Sequence, residues 1–282
     1  GRAAAVLGNH EINLLREDAK DGSGWFFDAR MARDHDKYAP FHRPTQQQRQ
    51  DIVAFLSELP IGLERPDLRV IHAAWQDEQV EAARYLALGS VRREYDQREH
   101  TAQQQARDTA LEERMARELE QWEHGLENSQ HQPPFLRAHA EYEEQKQMQN
   151  PLKVLTSGVE QQGREPFFSG GKWRFVERMP WWDAYTDPVP VVVGHYWRRV
   201  HKTDRGAVGK GDPDLFENTH PFAWHGKRGN VFCVDFSAGG RWTERKAGTT
   251  IGHDFKLAAL RWPEKTLVFD DATVAETEGF DL

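Results

Sequence analysis

Apolar positions along the chain fall into short runs that each stop at a glycine or a polar residue, with one long polar stretch in the middle. Ala3 to Leu7 is an apolar run halted by Gly8, which predicts a buried strand ending in a tight turn. Leu68 to Ala74 repeats the form, Val70 and Ile71 leading into His72. Val189 to Val193 is the strongest strand signal, and Gly194 and His195 follow it at once. Val231 to Phe236 predicts a fourth strand that ends in Ser237-Ala238-Gly239-Gly240, and alternating apolar residues from Phe255 to Phe269 predict a closing hairpin.

From about Gln79 to Gln149 the chain is crowded with Glu, Arg, Gln and Ala, all good helix formers. Met115, Leu119, Trp122 and Leu126 step by four, three and four, one apolar stripe along a helix. Pro133 and Pro134 punctuate the run and Asn150-Pro151 ends it. The reading is a polar helical insertion, residues 79–150, between two parts of one core, residues 1–78 and 151–282. Its charge reads as a solvated face or, alternatively, as a lid over a site. The aromatic stretch from Phe167 to Trp182 either walls a pocket or packs the insertion onto the core.

Three strands thus end at residues able to hold a metal: Asn9 and His10, then His72, then His195. In open α/β sheets, ligand sites gather at the carboxyl ends of the strands, so residues far apart in sequence are expected to converge on one crevice.

Composition narrows the classes. The 282 residues hold a single cysteine, Cys233, which rules out a disulfide framework and fits a reducing, cytoplasmic setting. A net charge of −8 opposes a nucleic-acid partner. No stretch has the apolar length of a membrane span. The mean hydropathy of −0.81 is accounted for by the polar insertion. The chain opens on Gly1 and runs straight into apolar residues, the pattern expected of a segment cut from a longer chain.

In Gly8-Asn9-His10-Glu11, the glycine permits a sharp turn and Asn9 offers a neutral carbonyl oxygen to a hard cation. His10 has a proton to donate near neutral pH, and Glu11 suits the positive end of a helix. An Asn-His turn that merely caps a helix is the alternative. His72 and His195 read as ligands or as satisfied structural histidines, with Gly194 favouring the ligand reading of His195 through close backbone approach. His100, His124 and His131 read as surface residues. Arg198 and Arg199 could reach a phosphate or lie solvated, and Tyr196 and Trp197 could stack on a ligand or pack the core.

Taken together, GNHE, a strand ending in His72, VVVGH and a strand ending in a Gly-rich turn resemble the calcineurin-like metallophosphoesterases. Within them the closest likeness is to the branch of serine/threonine phosphoprotein phosphatases and bacterial diadenosine tetraphosphatases. The resemblance runs from Gly1 to about Gly240, interrupted by the insertion. It implies a four-layer α/β/β/α sandwich and a site of two divalent metals (Mn, Fe or Zn). Asn9, His72 and His195 would ligate one of them, and His10, oriented by an upstream carboxylate, would protonate the leaving oxygen. The implied substrate is a phosphoprotein or a small phosphomonoester, whose phosphate Arg198 could reach from its place after the GHYW turn. Hydrolysis of a dinucleoside polyphosphate, or a degenerate non-catalytic binding module, are the other functions the resemblance admits. The family's opening motifs, GDxHG and GDxxDRG, do not occur in this sequence. The first strands and several ligands are therefore expected to be missing, the sheet edge they would cover exposed, and this chain alone inactive.

Overall fold

The computed structural model describes residues 3–201 and 211–280. Among these it is a mixed α/β protein with nine strands and nine α-helices. The strands are β1 (Gly62–Arg65), β2 (Leu68–Ile71), β3 (Glu160–Ser169), β4 (Lys172–Arg178), β5 (Val191–Val193), β6 (Val231–Cys233), β7 (Ala258–Arg261), β8 (Thr266–Phe269) and β9 (Val274–Glu276). The helices are α1 (Asn9–Leu15), α2 (Met31–Tyr38), α3 (Gln46–Ser57), α4 (Asp77–Arg84), α5 (Val91–Asp108), α6 (Leu111–Gln121), α7 (Arg137–Met148), α8 (Pro151–Ser157) and α9 (Arg241–Ala247).

The central sheet runs β1-β2-β5-β6, with β1 antiparallel to β2 and the other two pairings parallel. The period-2 pleat divides its side chains between two cores. Ile71, Val191, Val193, Val231 and Cys233 face the helices, meeting Ile12 and Leu15 of α1, Tyr95 of α5 and Leu155 of α8. Val192 and Phe232 face the opposite way, onto Leu267 and Phe269 of the antiparallel sheet β7-β8-β9. Helices, mixed sheet and second sheet therefore stack in that order.

The polar stretch is helical, as its composition predicts, and α5 folds back onto the core. Arg16 Nε donates to Asp96 Oδ1 at 2.6 Å while its guanidinium lies 4.5 Å over the Tyr95 ring. Further out, α7 packs on an unforeseen hairpin of β3 and β4, through Leu136, Ala140, Trp173 and Phe175. The Phe167–Trp182 aromatics divide accordingly: Trp173 and Phe175 fasten the helices, and Trp181 and Trp182 enter the main core. The apolar stripe outruns its helix, because α6 stops at Gln121 and Trp122 is extended (ψ 104°).

Ala3 to Leu7 is not a strand. Leu7 is fully buried and its N–H donates to the Pro60 carbonyl at 2.9 Å, but Ala3, Ala4 and Ala5 are exposed. An apolar run becomes a strand only with a neighbour to complete a ladder, and the described residues bring none alongside it. Two other strands are shorter than expected, since β5 and β6 are each three residues long.

Candidate functional site

Asn9 and His10 open α1, with Gly8 as the capping residue in an extended conformation (φ −103°, ψ 177°). Glu11 reaches back to accept the Gly8 N–H at 3.0 Å, which fixes where the helix begins. The glycine is required by its neighbour. A Cβ at this position would sit 2.6 Å from Cε1 and Nδ1 of His72 and 2.7 Å from the Glu11 carboxylate. The His72 ring thus packs directly on the Gly8 backbone.

The parallel strands β2, β5 and β6 all point the same way, and just past their carboxyl ends stand His72, His195 and Asp235. His72 Nε2 lies 3.0 Å from Asn9 Oδ1, and the His72 and His195 rings meet edge-on with centroids 5.3 Å apart. Asn9, His72 and His195, from residues 9 to 195 of the chain, form one contiguous group. His10 is exposed beside it. Its charge, when present, acts on both half-buried rings.

His195 adopts a left-handed conformation at φ 64°, a strained choice for a residue with a side chain. Two main-chain bonds and one to a carboxylate hold it there. The Gly194 N–H donates to the His72 carbonyl at 2.9 Å, the Tyr196 N–H turns back to the Gly194 carbonyl at 2.6 Å, and the Asp235 carboxylate accepts from the His195 backbone. Gly194 itself would tolerate a Cβ, which would meet nothing closer than 3.7 Å, so its lack of a side chain does not set the approach. His195 Nε2 is enclosed and has no hydrogen-bond partner.

Burial lowers the His72 pKa to about 4, with His10 adding to the effect and Glu11 opposing it. Burial likewise holds His195 well below its usual value, followed by repulsion from Arg178 and then His72, while the Ser157 carbonyl opposes. Both imidazoles are therefore neutral at pH 7, the form that offers a nitrogen lone pair to a metal. An amide oxygen and an imidazole in contact, with a second imidazole whose buried Nε2 lacks a partner, fit the donor set of a Mn, Fe or Zn ion.

One residue changes role and two were not foreseen. Arg198 is 3 % exposed; its guanidinium donates to the carbonyls of Cys233 (3.3 Å) and His220 (2.7 Å) and lies 4.8 Å over the Phe216 ring. It ties loops together from inside the core, closed off from solvent, so the expected contact with a phosphate is corrected. The cation that acts on His195 is Arg178, at the end of β4, whose position in an aromatic-rich run concealed it. Asp235 was also missed. Burial raises its carboxyl pKa against the two N–H donors of Ser237 and His195. The signal that could have found it is the same one that found the histidines: a polar residue just after an apolar strand.

Tyr196 is buried and Trp197 exposed, so only the latter is open to a ligand. A cavity of ≈ 320 Å³ beside β1 is walled by Leu59, Ile61, Trp75, Val80, Leu86 and Leu155. None of Asn9, His10, His72 or His195 lines it. Comparison with family models, curated proteins and solved structures finds no match to this chain.

Proposed function

We propose that this chain is part of a calcineurin-like metallophosphoesterase and that Asn9, His72 and His195 hold a divalent metal for the hydrolysis of phosphate esters. The observation that carries the reading is the contact of Asn9 Oδ1 with His72 Nε2, next to the partnerless Nε2 of His195, at the ends of two parallel strands. A bound divalent ion would polarise a phosphoryl oxygen and acidify a water. His10, exposed at the start of α1, protonates the leaving oxygen as general acid. Arg178 draws the anionic phosphate towards the histidines, the role first given to Arg198. Asp235 keeps the His195 backbone in its strained turn.

The four-layer sandwich belongs to the same proposal. Ala259, Val268 and Val274 form a cross-strand row on the outward face of the β7-β8-β9 sheet, and Val274 is 59 % exposed. An outer helical layer covers that face in such a sandwich.

One observation favours the non-catalytic binding module as a second reading. The motifs GDxHG and GDxxDRG, which supply further ligands in the family this chain resembles, do not occur in its sequence. The chain on its own is then expected to bind metal at this site without turnover, the second metal's ligands lying in motifs these 282 residues do not contain.

The deciding experiment is titration of metal-stripped protein with Mn²⁺ and with Zn²⁺, comparing wild type with His72→Ala and His195→Ala. Each substitution is expected to weaken binding at this site at least tenfold. Affinity unchanged in both variants would refute the metal assignment. A panel of phosphomonoesters and dinucleoside polyphosphates then reads turnover. Hydrolysis lost with His10→Ala supports the enzyme, and metal binding without hydrolysis supports the module.

A further inference from the structure

A second group of metal-capable side chains stands apart from Asn9, His72 and His195. His201, His253 and Asp254 each present one ligand atom, and these atoms lie within 4.8 Å of one another. The rings of His201 and His253 are 5.3 Å apart, tilted by 41°, and His253 Nδ1 lies 2.9 Å from Asp254 Oδ1. Both histidines are exposed.

Exposed histidines meet by chance, so the scaffold beneath them matters. The loop that carries His253 and Asp254 is moulded around Glu244 of α9, only 4 % exposed. One oxygen of the Glu244 carboxylate accepts the Gly252 N–H at 2.7 Å and the other accepts the Asp254 N–H at 2.8 Å. The two main-chain donors flank His253, so the buried carboxylate sets the position of this residue.

The His201 segment is anchored to the same floor. The Arg198 N–H donates to the Asp235 carbonyl at 2.9 Å, and Ser237 Oγ donates to the Arg198 carbonyl at 2.6 Å. Ser237 is bridged to Lys256, two residues past Asp254, and the Arg199 guanidinium lies 4.6 Å over the Phe255 ring. Two chain segments are thus brought side by side by their backbones, with ligating side chains at the meeting point.

We propose that His201, His253 and Asp254 form a surface site for a borderline transition-metal ion of the Zn²⁺ class, which staples the segment after His195 to the loop after α9. Two imidazoles and one carboxylate form a mixed N/O set that suits Zn²⁺, Ni²⁺ or Cu²⁺ better than Mg²⁺ or Ca²⁺. Ligand atoms around a tetrahedral ion with bonds of roughly 2.0–2.1 Å stand about 3.3 Å apart. Exposed side chains of this length close the remaining gap by rotating about their own bonds. With three protein ligands, water completes the coordination. The site is independent of the phosphoesterase reading.

The test is Zn²⁺ titration of metal-stripped protein, with stoichiometry read by a competing chromophoric chelator and melting followed in parallel. Wild type is compared with His201→Ala, His253→Ala and Asp254→Asn, all surface changes that leave the fold intact by circular dichroism. Each histidine variant is expected to bind one Zn²⁺ equivalent fewer than wild type and to lose part of the Zn²⁺-induced rise in Tm; Asp254→Asn weakens the same site at least tenfold. Mg²⁺ at the same concentrations gives no such difference. Zn²⁺ stoichiometry and Tm rise equal to wild type in both histidine variants overturn the proposal. His72→Ala serves as the control, since a loss seen there and not in the surface variants belongs to the other site.

Discussion

At the scale of single residues, the candidate site depends on how closely backbone and ring can approach. Gly8 shows this most directly, because the His72 ring occupies the space a side chain would need. A Gly8→Ala methyl would have to push away either the imidazole or the Glu11 carboxylate that starts α1, and neither is the loose end of a flexible chain. Overpacking of this kind costs about 1–3 kcal/mol. The expected outcome is a lower urea midpoint together with weaker Mn²⁺ binding, since displacing His72 also breaks its 3.0 Å contact with Asn9. A variant with unchanged metal affinity would show that the Gly8–His72 contact does not position the donor. The contrast with Gly194 is instructive. It precedes the other histidine and looked equally important in sequence, yet it has room for a Cβ. The strained residue there is His195 itself.

At the scale of elements, Asn150 joins the helical insertion to the core. It is fully buried and caps α8, its Oδ1 accepting the Leu152 N–H at 3.2 Å. Its Nδ2 donates across to α5, at 3.2 Å to both the Tyr95 carbonyl and Glu99 Oε1. Asn150→Ala removes a cap and both side-chain bonds to α5, while the Tyr95 carbonyl keeps its partner within the helix, so a loss of about 1–2 kcal/mol is expected in denaturant unfolding. A loss under 0.5 kcal/mol would mean that water replaces the amide. In sequence this residue reads only as a breaker before Pro151. Patterns of one residue type along one element were legible: the apolar runs of β2 and β5, the alternation through β8, the helix-forming bias of residues 79–149, and the polar residue just after β2 and after β5. What pairs with what was not. Ala3–Leu7 has the composition of a strand without a ladder, and the β3-β4 hairpin carries Gln161, Gln162, Arg164 and Glu165, which no apolar alternation marks. Arg198 was misread because a buried arginine satisfied by carbonyls and aromatic faces has the same local sequence as an exposed one.

At the scale of the whole molecule, desolvated histidines, His225 buried and His72 and His195 half-buried, make folding sensitive to acid. Burial lowers His72 to about 4 and His225 to about 3, and His195 is lowered as well. His225 is enclosed by Trp182 and Phe216, with ring centroids 4.7 and 5.3 Å away, and the nearby Arg198 charge further disfavours protonation. An unfolded histidine takes up its proton near pH 6.5, whereas these do so only at much lower pH when folded. Between those values the unfolded chain binds more protons than the folded one. Stability is therefore fully present above about pH 6.5 and falls as pH drops towards 4 and 3, by at most about 1.4 kcal/mol per pH unit for each histidine. His225→Phe isolates one of these contributions, since it keeps a ring between Trp182 and Phe216 and removes the titrating group. Its packing cost is the same at every pH, so the informative quantity is the difference in unfolding free energy between variant and wild type at pH 7.5 and at pH 5. That difference should move in favour of the variant by roughly 1–2 kcal/mol at the lower pH. A difference that stays constant would mean that His225 is already protonated in the folded protein, with its charge met by a group that the aromatic enclosure does not provide.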